Sequence, residues 1–110
     1  IQDGYSVVRW DGAVSPCLGL MHEHDEYIKG RRHHIKQYGL GNVNQTPFDV
    51  IWYSQEYTTF RNRVSAFEFS PCTSCARCDY FSHNQEDCME KNPFPTCGGC
   101  LWARGLIQCP

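Results

Sequence analysis

Apolar and polar positions alternate at the start of the chain, follow a helical spacing in its middle and lose all periodicity towards its end. Tyr5-Ser6-Val7-Val8-Arg9-Trp10 is rich in β-branched and aromatic residues, runs into Asp11-Gly12 and resumes an extended pattern at Ala13-Val14-Ser15. This predicts a β-hairpin with a tight Asp-Gly turn, both turn positions tolerating positive φ. Pro16 ends the second strand and presents Cys17 just beyond it. From Leu18 to Gln45 the chain is polar, broken by Gly30, Gly39 and Gly41, and reads as loop with short extended pieces. Within it, Tyr38–Val43 offers a short edge strand or turn to the first hairpin.

A helix is predicted near 47 to 61. Thr46 is placed to cap it, Pro47 suits the first helical position, and Asp49 stands three residues after the cap. Phe48, Ile51, Trp52, Phe60, Val64 and Phe67 fall near one face, with Glu56, Arg61 and Arg63 mostly elsewhere, so the stripe reads as core. Trp10, Trp52 and Trp102 are expected in the core, with shielding of a metal centre from water as the alternative role.

After Phe69-Ser70-Pro71 the composition changes: seven of the eight cysteines lie within the last 39 residues, among Gly, Pro, Asn and Ser. The expected fold is therefore a small α+β domain with an N-terminal β-hairpin, one main helix and an irregular cysteine-rich metal-binding tail. It forms a single domain over 1–110, divided into hairpin and loop (1–45), helix region (46–69) and tail (70–110). A chain of 110 residues buries only a modest apolar core, and a tail without apolar periodicity needs something to tie its loops together.

The sulfurs are the means. Cys72-X2-Cys75-X2-Cys78 is followed by Cys88, Cys97-Gly98-Gly99-Cys100 and Cys109, with Cys17 far upstream. Two residues between cysteines let both thiolates of a turn face one centre, as in zinc knuckles and iron-sulfur loops. A disulfide scaffold is the bland alternative for an even cysteine count in a short chain. Zinc is the closer competitor, because Cys72-X2-Cys75 with Cys97-X2-Cys100 fits a zinc ribbon. A single ribbon strands four sulfurs, whereas eight thiolates fill two four-cysteine clusters, and two zinc sites would fill the count equally well. His22, His24, His33 and His34 read as solvated surface, and His83, between Cys78 and Cys88, as a reserve ligand.

A net charge of −2 and a pI near 6.2 leave no footprint for nucleic acid. No run approaches the roughly 18 apolar residues that cross a bilayer, so no membrane insertion is expected. No nucleophile-base pair or phosphate loop is present, so the chain is not expected to catalyse alone. The start at Ile1 and the end one residue after Cys109 read as those of an excised fragment, and a cytoplasmic location is expected.

Val8-Arg9-Trp10-Asp11-Gly12-Ala13-Val14-Ser15-Pro16-Cys17, Gly41-Asn42-Val43, Ile51-Trp52-Tyr53-Ser54-Gln55-Glu56-Tyr57 and Phe60-Arg61 together resemble the SPASM domain that follows the barrel of many radical SAM enzymes. The tail from Pro95 to Pro110 resembles, more narrowly, the end of the radical SAM maturases of tungsten enzymes. The resemblance implies two [4Fe-4S] clusters held by Cys17, Cys72, Cys75, Cys78, Cys88, Cys97, Cys100 and Cys109, with zinc as a substitute in aerobically prepared protein. It implies an upstream radical SAM barrel in the same chain that binds S-adenosylmethionine, and a peptide or tungsten-enzyme substrate. The clusters would relay electrons or anchor that substrate. This chain departs from the family in the short Cys75-X2-Cys78 gap and in lacking a further cysteine between Cys17 and Cys72; the Cys-X3-Cys-X2-Cys of the barrel is absent.

Overall fold

The computed structural model describes residues 4–69, 78–89 and 94–96, which form two small antiparallel sheets and two helices. The first sheet has the order β1-β2-β5, built from β1 (Val7–Val8), β2 (Ala13–Ser15) and β5 (Gly41–Asn42). Val7 faces Ser15 and Val8 faces Val14 across the predicted hairpin. Its turn differs from the expected one. The Gly12 N–H donates to the Arg9 carbonyl (2.9 Å) and the Arg9 N–H to the Ala13 carbonyl (2.8 Å), closing a three-residue loop in which Gly12 carries the positive φ (86°) and Asp11 does not. The reason is local: the Asp11 carboxylate accepts the Ala13 N–H (3.2 Å), which fixes Asp11 and leaves glycine to reverse the chain. A Cβ at Gly12 would run into the side-chain amides of Asn42 and Asn44, both of which donate to the Asp11 carbonyl (3.0 and 3.1 Å).

β5 takes the edge position foreseen for the Tyr38–Val43 stretch, with Asn42 opposite Ala13 and Gly41 opposite Val14. The polar stretch before it holds more structure than a loop. β3 (His24–Ile28) and β4 (Arg31–Ile35) pair along their full length, joined by Lys29 and Gly30, both at positive φ (53° and 77°). Such a two-residue turn matches the right-handed twist of its strands. Ile28, His33 and Ile35 point inward, and polar residues occupy most other positions.

The single helix expected near 47 to 61 is two: α1 (Phe48–Trp52) and α2 (Gln55–Ser65). Thr46 does not cap α1. Its N–H turns back to the Asn42 carbonyl (2.9 Å), and Pro47 stands at the cap with no side-chain hydrogen bond. The break falls at Ser54, whose backbone is extended (φ −59°, ψ 148°) and whose hydroxyl accepts the Tyr57 N–H (3.2 Å), restarting the helix in a new direction.

That redirection lets α2 serve two cores. Tyr57 packs with Val14 and Ile51 against the first sheet, while Phe60 and Val64 join Leu20, Ile35 and Phe69 beside the second. Burying each of these side chains contributes about 1.5–3 kcal/mol. Three residues of the expected core lie outside it: Phe48 and Phe67 are 42% and 45% exposed, and Trp10, at the hairpin tip, is 91% exposed. Phe67 follows the end of α2 at positive φ (51°), a position that turns its side chain away from the helical stripe. Trp102 lies outside the described residues.

Candidate metal centre

Of the eight cysteines, Cys17, Cys78 and Cys88 are described; Cys72, Cys75, Cys97, Cys100 and Cys109 lie outside the described residues. Among the described residues no three His, Cys, Asp or Glu side chains converge on one point. What the fold does show is how the chain is held where it carries or adjoins these cysteines.

Cys17 follows buried Pro16 at the end of β2, in extended backbone. Its carbonyl accepts the Leu20 N–H (3.2 Å) that opens a 3-10 turn at Leu18–Leu20 and lies 3.2 Å from the Ser15 hydroxyl, which also reaches the Tyr38 carbonyl (2.9 Å). Arg9 steadies the same region, its guanidinium pairing with both carboxylate oxygens of Asp11 and reaching the Met21 carbonyl (3.4 Å). Half-buried Cys17 packs on the Leu20, Ile35, Phe60, Val64 and Phe69 core, and its Sγ faces Gly19. Phe69 is buried in that core three residues before Cys72, so the approach to the central cysteine run starts from the cluster on which Cys17 rests.

Cys78 caps a 3-10 turn at Asp79–Ser82. Its carbonyl accepts from Arg31 Nη2 (3.1 Å) and from the Phe81 N–H (3.2 Å), and the Arg31 guanidinium lies 4.4 Å from the Phe81 ring centroid. Two residues along β4, His33 Nδ1–H donates to the Phe81 carbonyl, its ring 5.2 Å from that of Phe81. The surface position expected for His33 is therefore corrected: it is 3% exposed, because alternation along β4 turns it inward with Arg31 and Ile35. His34, on the opposite side of the strand, is half-exposed between Asp25 (2.7 Å) and Glu23 (3.0 Å), and the Asp25 bond raises its pKa. His22 and His24 are exposed, as expected. His83 bridges backbone to backbone with His34, and its ring nitrogen Nδ1 accepts the Gln85 N–H (3.2 Å).

The approach to Cys97 is held from two sides. Fully buried Asn84 acts as a strand partner for Lys36, accepting its N–H (2.8 Å) and donating to its carbonyl (3.1 Å), while its own carbonyl accepts the Thr96 N–H (2.8 Å). Arg63 Nη2 donates to the Pro95 carbonyl (2.7 Å) from α2, and Phe94 packs edge-on against Tyr38 at 5.3 Å. Burial raises the Tyr38 phenol pKa, helped by the bond it donates to Glu56 (2.9 Å), so Tyr38 keeps its proton and its role as donor. Cys88 follows buried Asp87 and is itself exposed.

The spacing of the cysteines revealed the donors but not these holders. Arg31, His33, Arg63 and Asn84 each act on a residue 32 to 48 positions away, and no local pattern announces such a pair. The donor set itself suits iron-sulfur chemistry. It is thiolate-rich, with eight cysteines in 110 residues.

Comparison with known proteins agrees with this chemistry. The family model described as SPASM, an iron-sulfur cluster-binding domain, matches residues 1–79. The chain is also 37% identical over 108 residues to the tungsten-containing aldehyde ferredoxin oxidoreductase cofactor-modifying protein of Pyrococcus furiosus, an alignment that covers 96% of this chain and 30% of that protein. No solved structure matches.

Proposed function

The chain belongs to the SPASM iron-sulfur cluster-binding domain family, and from that premise we propose that it is the auxiliary cluster domain of a radical SAM maturase that modifies a peptide or the cofactor of a tungsten enzyme. The family match, with the likeness to a cofactor-modifying protein across 96% of the chain, carries the reading. Cys17, Cys72, Cys75, Cys78, Cys88, Cys97, Cys100 and Cys109 would hold two [4Fe-4S] clusters. When bound, the clusters supply one-electron redox chemistry or an anchor for substrate beside the S-adenosylmethionine site of an upstream barrel.

The protein's own contribution is rigidity and exclusion of water. Arg31 holds the carbonyl of Cys78, and Asn84 ties the backbone of Lys36 to that of Thr96 beside Cys97, so the chain is already ordered at these two places before a cluster is bound. Phe60, Phe69 and Phe81 are buried around Cys17 and β4 and keep that side of the centre apolar, which tunes a cluster's potential through local dielectric.

The test is iron, zinc and acid-labile sulfide content, with a visible spectrum, on protein made and purified without oxygen. Iron and sulfide in near-equal amounts with a brown colour are expected. Zinc alone under those conditions would instead identify a redox-inert module that shapes a docking surface for a partner.

A further inference from the structure

His33 is a buried polar side chain that the cysteine reading leaves unexplained. It is 3% exposed, and among the described residues its Nε2 has no hydrogen-bond partner. Leaving a buried nitrogen unpaired is costly, so such a group calls for a ligand. The other ring nitrogen defines which kind. The Phe81 carbonyl can only accept, so Nδ1 carries the proton, and in the neutral ring the lone pair resides on Nε2. An imidazole whose Nδ1–H is tied to a backbone carbonyl while Nε2 stays open is the arrangement found in metal-bound histidines, where the second bond fixes tautomer and ring orientation.

The neighbourhood adjoins two of the cysteines. Along the inward face of β4, Arg31 holds the carbonyl of Cys78 (3.1 Å), His33 holds that of Phe81, and Ile35 lies in the core on which Cys17 packs. His33 is thus flanked by the anchor of one cysteine and the support of another. Cys78 and Phe81 are three residues apart across a 3-10 turn, a rise of about 6 Å.

We propose that His33 Nε2 is a nitrogen ligand to a cluster iron on this face of β4, an inference that rests on the iron-sulfur reading above. Its lone pair forms the bond, Nδ1 keeps its proton, and no electron is transferred in binding. Eight thiolates suffice for two four-iron clusters, so histidine ligation leaves one thiol spare in that count. A neutral imidazole in place of a thiolate makes the cluster less negative and raises its potential.

The experiment uses the chain purified without oxygen, loaded with ferrous iron and sulfide, carrying isotopically labelled histidine nitrogens and reduced with dithionite. Pulsed electron paramagnetic resonance of the wild type should show the coupling of a directly bonded imidazole nitrogen. His33→Cys should keep wild-type iron and sulfide, lose that coupling and show a lower reduction potential; His33→Ala should lose iron. A loaded wild-type chain without nitrogen coupling, or a His33→Cys chain that retains it, would overturn the inference while the cluster reading stands. Neither result depends on His33→Ala folding. Failure to take up iron and sulfide at all would overturn both.

Discussion

Asp11 and Asn84 show how single polar side chains set the path of the chain around the cysteines. The Arg9 guanidinium holds the Asp11 carboxyl down at about 2, against an unfolded value of about 4. A carboxylate with a depressed folded pKa stabilises the fold above its unfolded pKa, and that contribution is lost as pH falls through the folded value. The β1–β2 turn should therefore hold down to about pH 4 and loosen between about 4 and 2. Amide resonances of Gly12 and Ala13 followed by NMR should report this, and Asp11→Asn should abolish the acid step. Asn84 works without charge. Removing its amide in Asn84→Ala strands the N–H and carbonyl of Lys36, so a loss of about 2–3 kcal/mol is expected in chemical denaturation. Asn84→Asp should recover little of it, since a carboxylate still accepts from Lys36 but cannot donate back. Asp11 was legible in the sequence through its Asp-Gly pair, whereas Asn84 stands in no motif.

At the level of elements, what could be read depended on whether the signal was local. The β1–β2 hairpin follows from Val7-Val8, Asp11-Gly12 and Ala13-Val14-Ser15, all within a few residues of one another, and the β5 edge strand from the glycines of the Tyr38–Val43 stretch. β3 and β4 read as loop with short extended pieces because their outward positions are, apart from Tyr27, charged or histidine, and because His33 occupies an inward position that pattern reading reserves for an apolar residue. Lys29-Gly30 also lacks the Asn or Asp that advertises a two-residue turn. The helical stripe was read correctly at Ile51, Phe60 and Val64, but one period was drawn through Ser54, where the chain changes direction. Ser54 decides between one helix and two. Ser54→Ala should cost about 1 kcal/mol by removing the acceptor for the Tyr57 N–H, read as a shift of the denaturation midpoint without a change in its slope.

For the molecule as a whole, the buried apolar side chains divide into two small clusters along α2, and the two differ in what adjoins them. Val14, Ile51 and Tyr57 pack with Leu40, Val43 and Trp52, with the Tyr57 hydroxyl donating to the Tyr5 carbonyl (3.0 Å), and among the described residues no cysteine belongs to this cluster. Leu20, Ile35, Phe60, Val64 and Phe69 pack instead with Cys17, and the nearby strand β4, with Lys36 just after it, carries the anchors of Cys78, Phe81 and Asn84. Ligated metal adds its binding free energy to whichever part of the fold it ties together. Chelating iron from anaerobically loaded protein should therefore leave amides of β2, β5 and the first turn of α2 as protected in hydrogen exchange as before, while those of Phe81 and Thr96 exchange faster. Cys75→Ser and Cys100→Ser should reproduce that pattern in protein loaded in the same way. Equal loss of protection in both halves would mean that the domain folds as one unit with its metal; no loss in either would mean that the cysteine-rich segments are held by the scaffold alone.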